Sequence, residues 1–352
     1  MNDLPKPCRL RHKTKHGDDG ILVVVFSQVR VPAGKFGLER LFAGTRHNCL
    51  FLNDTGNQWY VGLDEEIDAV IDEAVSQVQP TRIIHYGSSM GGYGALLTGL
   101  RRRDGEIHAF GPELRPGRPG YQSTDYGVPS CVHDIHPSGQ QFPHHLHLYF
   151  GCFDPVDAAG AAETAQLFPE ADLHLVKSSH ASHDHLYSLN IIRKIIRTFD
   201  RDPGAELVAR GLKADISEET LKQFAALGER LAAGDAVDPN LVRRLPGYDG
   251  NPGMIRLAAE AEANVLRLDR AFTTALQAEQ LIENDPVLST LPKRWRKEFP
   301  LKRVRWLIAQ GQSEGAHQLL LETCRRFPVD DAMKELCHDL AVPLPSGCEP
   351  IE

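Results

Sequence analysis

The stretch His85-Tyr86-Gly87-Ser88-Ser89-Met90-Gly91-Gly92-Tyr93-Gly94 limits what this chain can fold into more than any other. It follows a short apolar run, Arg82-Ile83-Ile84-His85-Tyr86, and leads into Tyr93 to Leu100, which reads as a helix opening. It holds one match to G-x-S-x-G, Gly87-Ser88-Ser89-Met90-Gly91. Ser89 takes the serine position, and Ser88, flanked two residues away by Tyr86 and Met90, does not. A strand that turns abruptly into a helix over one serine forces that residue into strained backbone geometry and brings helix and strand close together, so its neighbours must be small. Gly87, Gly91, Gly92 and Gly94 satisfy that demand. The competing reading is a glycine-rich turn without chemistry, or a phosphate cradle. The missing P-loop lysine and the missing G-x-G-x-x-G spacing weigh against it.

Around this turn, strand and helix signals alternate. Cys8 to Lys15 suits an edge strand, and Ile21-Leu22-Val23-Val24-Val25-Phe26 is a continuous apolar run of the kind buried on both faces of a parallel sheet. Cys49 to Leu52 is the next strand. Asp64 to Gln79 carries Ile67, Val70, Ile71, Ala74, Val75 and Val78 at helical spacing and stops before Pro80. After the turn come a helix end at Arg101-Arg102-Arg103, where cations favour the negative end of the helix dipole, and a strand at Glu106 to Phe110. Gly111 to His144 is a long insertion rich in Pro, Gly and Ser, placed where a lid would cover a site. Strands at Leu146–Phe150 and Ala171–Val176 and helices at Val156–Phe168 and Leu186–Phe199 complete the pattern, which predicts a mostly parallel sheet with helices on both faces.

From about Pro203 the signals become helix upon helix. Turn signals at Gly234-Asp235, Pro246-Gly247, Asn251-Pro252-Gly253, Asp285-Pro286 and Phe327-Pro328 divide this part into six or seven helices. With 352 residues and the usual ~100–200 residues per domain, two domains are expected, at 1–202 and 203–352. Trp306 through Gly311, Ala316 and Leu320 to Pro328 are similar to a tetratricopeptide-type hairpin, with a poorer copy at Ala271 to Pro286. Such all-helical domains usually bind a protein partner or a second copy of themselves. The run from Lys293 to Trp306 is rich in cations and holds two tryptophans. Solvated cations over inward-packed tryptophans describe it better than an anion-binding surface.

A net charge of −8 argues against nucleic acid as a partner. No apolar stretch approaches the length of a membrane span, and Met1 to Pro7 lacks the pattern of a signal peptide, so a cytoplasmic location is expected. The seven cysteines are scattered without C-x-x-C spacing, which suits reduced thiols.

The order of elements over about residues 8–200 resembles the α/β-hydrolase superfamily: a strand with an oxyanion loop, a nucleophile turn, a lid-like insertion, a strand ending in an acid and a last strand ending in a histidine. More narrowly, Gly87-Ser88-Ser89-Met90-Gly91-Gly92-Tyr93-Gly94-Ala95-Leu96, with Asn53-Asp54 and Trp59-Tyr60 upstream, is similar to a group of bacterial hydrolase-like proteins, some linked to polysaccharide or glycan acylation.

The resemblance implies a Ser-His-Asp triad, because a serine hydroxyl needs a base within hydrogen-bond reach and the base needs an orienting acid. Ser89 is the nucleophile. Asp154, four residues past its strand, is the first choice of acid, although Asp154-Pro155 is also a good helix start. Asp157 is the alternative acid, set back because it falls in the following helix. The base comes from Ser179-His180-Ala181-Ser182-His183-Asp184-His185. His183 is preferred, on the expectation that the last helix begins near Asp184, with His185 second and His180 third. By analogy the oxyanion donors are the amides of Met90 and of Ser27 or Gln28. His180, His183 and His185, with His133, Asp134, His136, His144, His145 and His147, also raise a metal site, but their spacing matches no helical zinc signature, so neither metal nor cofactor is expected. The function implied is a serine esterase acting on small-molecule or glycan acyl esters. An O-acyltransferase on a glycan and a scaffold carrying a hydrolase-like domain are the alternatives.

Overall fold

The computed structural model describes residues 9–130, 135 and 142–343. Cys8, Cys131 and Cys348, and His133, Asp134 and His136 of the histidine-rich insertion, lie outside the described residues. The sheet is built from β1 (Leu10–Lys15), β2 (Ile21–Phe26), β3 (Asn48–Asp54), β4 (Arg82–Ser88), β5 (Glu106–Phe110), β6 (Leu146–Gly151) and β7 (Asp172–Val176), in the spatial order β1-β3-β2-β4-β5-β6-β7. Only β1 runs antiparallel to its neighbour. The apolar run of β2 lies in the middle of one half of the sheet, and Leu22 to Phe26 are fully buried, as a strand covered on both faces requires.

Between the strands lie α1 (Glu39–Phe42), α2 (Asp64–Val78), α3 (Met90–Arg102), α4 (Gln122–Asp125) and α5 (Pro155–Leu167), and after β7 come α6 (Ser182–Ser188), α7 (Ile191–Ile195) and α8 (Pro203–Ala209). Alternation along the strands sorts their side chains between two helical layers. On one face Tyr86 meets Phe42 of α1 and His183 of α6, with ring centroids 5.2 and 5.7 Å away. On the other face Gly99 of α3 lies over Ile107, and Gly160 of α5 over Phe150. The expected single helix Leu186–Phe199 is instead two, α6 and α7. The break is Asn190, whose φ of 62° is a left-handed value that asparagine tolerates and that stops the helical ladder.

The chain divides into Met1–Ala225 and Ala226–Glu352, a later boundary than 202/203. The stretch added to the first unit includes a strand-like contact that the sequence does not signal. Ala214 N donates to Leu175 O at 2.8 Å and Lys177 N to Leu212 O at 2.7 Å, so the segment after α8 lies along the outer edge of β7 and belongs to the sheet. The division itself falls within α9 (Glu218–Ala232).

The second unit contains α10 (Pro239–Arg243), α11 (Pro252–Asn264), α12 (Leu268–Asn284), α13 (Lys293–Arg296), α14 (Glu298–Ala309), α15 (Ser313–Arg326) and α16 (Asp331–Asp339). The hairpin expected around Gly311 is formed by α14 and α15, with Gly311 at φ 74° in the turn and Leu301, Val304, Leu307, Ala316, Leu320 and Cys324 sharing one core. In the basic run Trp295 is buried against Phe299, Lys302 pairs with Glu260, and Arg303 pairs with Glu279 at 2.7 Å. Lys297 likewise pairs with Asp330. No helix among the described residues is long and apolar enough to cross a membrane.

The glycines beside Ser89 work by omission. A Cβ on Gly91 would stand 2.2 Å from Phe26 O, and one on Gly87 would stand 2.0 Å from Gly91 O, both against backbone that has no room to move. Gly91→Ala is therefore expected to destabilise the first unit by about 3 kcal/mol, the upper end of overpacking costs, read as a lower urea midpoint at unchanged slope.

Candidate active site

Ser89 sits between β4 and α3 with φ 55° and ψ −123°, a conformation that L-residues avoid unless their surroundings impose it. Its amide donates to Phe110 O at 2.8 Å and its carbonyl accepts from Tyr93 N at 3.0 Å, which fixes the turn between the neighbouring strand and the new helix. The hydroxyl is left pointing at His180, with Oγ 3.0 Å from Nε2. His180 Nδ1 lies 2.7 Å from Asp157 Oδ1, and the other oxygen of Asp157 accepts from Gly151 N at 2.7 Å. Because Asp157 accepts only, Nδ1 carries a proton, and in the neutral ring Nε2 is free to accept the serine proton.

The hydrogen-bond path from Ser89 thus runs through His180 and Asp157 and not through the first choices, His183 and Asp154. Helix α6 begins at Ser182 with Ala181 before it, so His183 lies in the first turn and His180 stays in the loop. His183 turns toward the sheet, where Nε2 meets Tyr86 Oη at 2.8 Å, and His185 Nδ1 meets Ser178 Oγ at 3.1 Å. Burial lowers the pKa of His185 to about 4. Neither approaches Ser89 in the geometry described. Asp154 caps α5, accepting from Val156 N at 2.9 Å and Asp157 N at 3.3 Å. Asp157, set back because it is helical, gains from that position. The first turn of α5 aims its carboxylate at Gly151 and the loop after β7, and the positive end of the helix favours the anion.

Of the proposed oxyanion amides, Ser27 N already donates to Leu52 O at 2.9 Å and drops out, which leaves Gln28 with Met90. The loop carrying Gln28 is held by side chains whose work the sequence does not disclose. Asn53 Nδ2 bonds the carbonyls of Val31, Pro32 and Lys35, and Tyr60 Oη donates to Ser27 O at 2.8 Å. Asp54, fully buried, accepts from Gly56 N, Gln58 N and Tyr60 N and pairs with Arg9. That network lets Trp59 and Tyr60 hold positive φ of 53° and 59°. The Asn53-Asp54 and Trp59-Tyr60 pairs are the signal available in the sequence.

The insertion also reaches the nucleophile. Ser89 Oγ lies 3.3 Å from Gln122 Oε1, and Gln122 N donates to the buried carboxyl of Glu113 at 2.8 Å. Burial raises the pKa of Glu113, against the opposing help of Ser123, His180 and Gln122. Tyr126 ties the same segment to Arg30 and Gln58, at 3.0 and 2.8 Å. The two groups around Oγ suit a charged His180: Nε2 donates to Oγ, and the serine hydrogen goes to Gln122 Oε1.

No family model and no curated relative matches the chain. Among solved structures it is similar to the capsule O-acetyltransferase of Neisseria meningitidis serogroup A, with 18% identity over 53% of this chain and 93% of that one and a TM-score of 0.40. An alpha-beta serine hydrolase homologue from Coxiella burnetii is similar at 14% identity over 55% and 92%, with a TM-score of 0.39. The alpha/beta hydrolase domain-containing protein 10 from mouse is similar at 13% identity over 53% and 93%, with a TM-score of 0.37.

Burial alone would push the pKa of His180 down, but the charge of Asp157, its hydrogen bond, and the charges of Asp154 and Glu113 outweigh this and raise it to about 10. A raised folded-state pKa contributes stability that is complete below about 6.5 and is lost as pH rises through the folded value. Denaturant midpoints should therefore fall between pH 6.5 and 10 in the wild type. His180→Gln should flatten that slope, and an unchanged slope would contradict the assignment.

Proposed function

We propose that the chain is a carboxylic ester hydrolase that works through an acyl-enzyme on Ser89, with His180 as base and Asp157 as its orienting acid. The observation that carries the reading is the continuous path from Ser89 Oγ to His180 Nε2 at 3.0 Å and from His180 Nδ1 to Asp157 Oδ1 at 2.7 Å, beginning at a serine in strained geometry. In this reading His180 takes the serine proton as Oγ attacks the ester carbonyl, and the amides of Met90 and Gln28 receive the developing oxyanion. The imidazolium then protonates the departing alcohol. Water enters by the same route in reverse and releases the acid.

Substrate class follows from what crowds the serine. Gln122 stands 3.3 Å from Oγ, and Tyr126, Arg30 and Gln58 belong to the polar contact that holds the insertion there. These groups favour a small acyl group on a hydroxyl-rich alcohol such as a glycan over a long acyl chain. Water and a sugar hydroxyl compete for the same acyl-enzyme, so product analysis with glycan acceptors present separates hydrolysis from transfer.

Ser89→Ala is expected to lose fluorophosphonate labelling and p-nitrophenyl acetate turnover while remaining folded. Labelling that survives in this variant would end the assignment. His180→Ala should lose about 10⁴-fold in kcat, as triad members do, whereas His185→Ala should keep kcat within about tenfold. Because the base must be neutral, kcat/KM should climb across pH 6.5 to 10, the window in which stability declines.

A further inference from the structure

Away from Ser89, at the beginning of β6 and β7, a second set of side chains converges. Parallel pairing places His147 opposite Asp172, and His145, two residues before His147, projects to the same side. The imidazoles of His145 and His147 stack 5.8 Å apart at 14°. Asp172 Oδ2 lies 3.3 Å from His147 Nδ1 and 3.9 Å from His145 Nδ1, and all three donor atoms lie within 4.8 Å of one another.

We propose that His145, His147 and Asp172 bind a divalent transition-metal ion of the zinc or nickel class, clipping the sheet's last strand to its neighbour. Imidazole and carboxylate donors about 2.0–2.2 Å from zinc stand about 3.3 Å apart in a tetrahedral shell, the separation His147 and Asp172 already have, and the exposed His145 needs only a small swing to join them. Two imidazoles with one carboxylate favour zinc, cobalt or nickel over magnesium or calcium, which take oxygen donors. The side chains of His145 and Asp172 are 74% and 52% exposed, which gives an ion access and leaves its remaining positions to water. His174 Nε2, 3.2 Å from His147 Nδ1, holds the inner ring in the metal-free protein, and its hydrogen bond is exchanged for the metal bond. That exchange limits affinity to a moderate value. The position argues for a structural role. The cluster lies at the amino ends of parallel strands, whereas Ser89 follows the carboxyl end of β4, so the ion would hold β7 without entering the chemistry.

Calorimetric titration of the EDTA-treated full chain with ZnCl2, paired with thermal unfolding, tests this. One equivalent should bind with micromolar affinity and raise the Tm, while MgCl2 does neither. His145→Ala and Asp172→Asn change exposed side chains and should leave the far-UV spectrum unaltered. A loss of zinc affinity of tenfold or more in either variant supports the site. A smaller loss in both, or no binding by the wild type, overturns it. Ser89→Ala should bind zinc as the wild type does, which keeps this outcome independent of the esterase reading.

Discussion

The first unit depends on how closely a helix can approach a sheet at one point. Helix α3 comes down on β2 and β4 so tightly that Gly91 lies against Phe26 O and Gly87 against Gly91 O, distances at which no side chain fits. The chain cannot leave β4 and enter that helix through ordinary backbone angles, so Ser89 takes the strained pair that its bond to Phe110 O then holds. Placing α3 there also sets Met90 beside the loop that leaves β2. The turn, the loop that leaves β2 and the covering of the central strands are thus one packing solution, and loosening any part would disturb the others.

Much of this is legible in the residues. The buried strands announce themselves as unbroken apolar runs, and the elbow by glycines at the positions where helix and strand touch. What the sequence does not carry is the direction of a side chain at a helix start. Helical placement counts against Asp157 in the sequence, yet the first turn of α5 is what aims it at Gly151 N and His180. His183 ranks above His180 only if α6 starts near Asp184, and a start at Ser182 rotates His183 onto the sheet. Each difference is one of angular position around a helix, where a shift of two residues turns a side chain by roughly half a turn.

The side chains that brace the loop after β2 are visible in the sequence without their purpose. Asn53, Asp54 and Tyr60 are polar groups in or just after a buried strand, so each must find hydrogen-bond partners, but the partners of Asn53 and Tyr60 at Ser27, Val31, Pro32 and Lys35 come from another segment. Backbone acceptors carry no residue-type signature. The same limit hides the segment after α8, whose pairing with β7 lies inside the first unit and past residue 202.

The contacts of Ser89 with His180 and of His180 with Asp157 join parts of the chain that are synthesised at different times. His180 lies 91 residues after Ser89, on the loop after β7, and Gly151 ties that loop to α5, its amide bonding Asp157 and its Cα packed against Ser179 O. A growing polypeptide therefore presents Ser89 well before His180 and Asp157 can reach it, and the three meet only once β7 has docked. The reverse path has the same order. Because β7 is the last of the seven strands and only the short segment 212–214 pairs with its far edge, fraying at that border would separate His180 from Ser89 while the central strands remain intact.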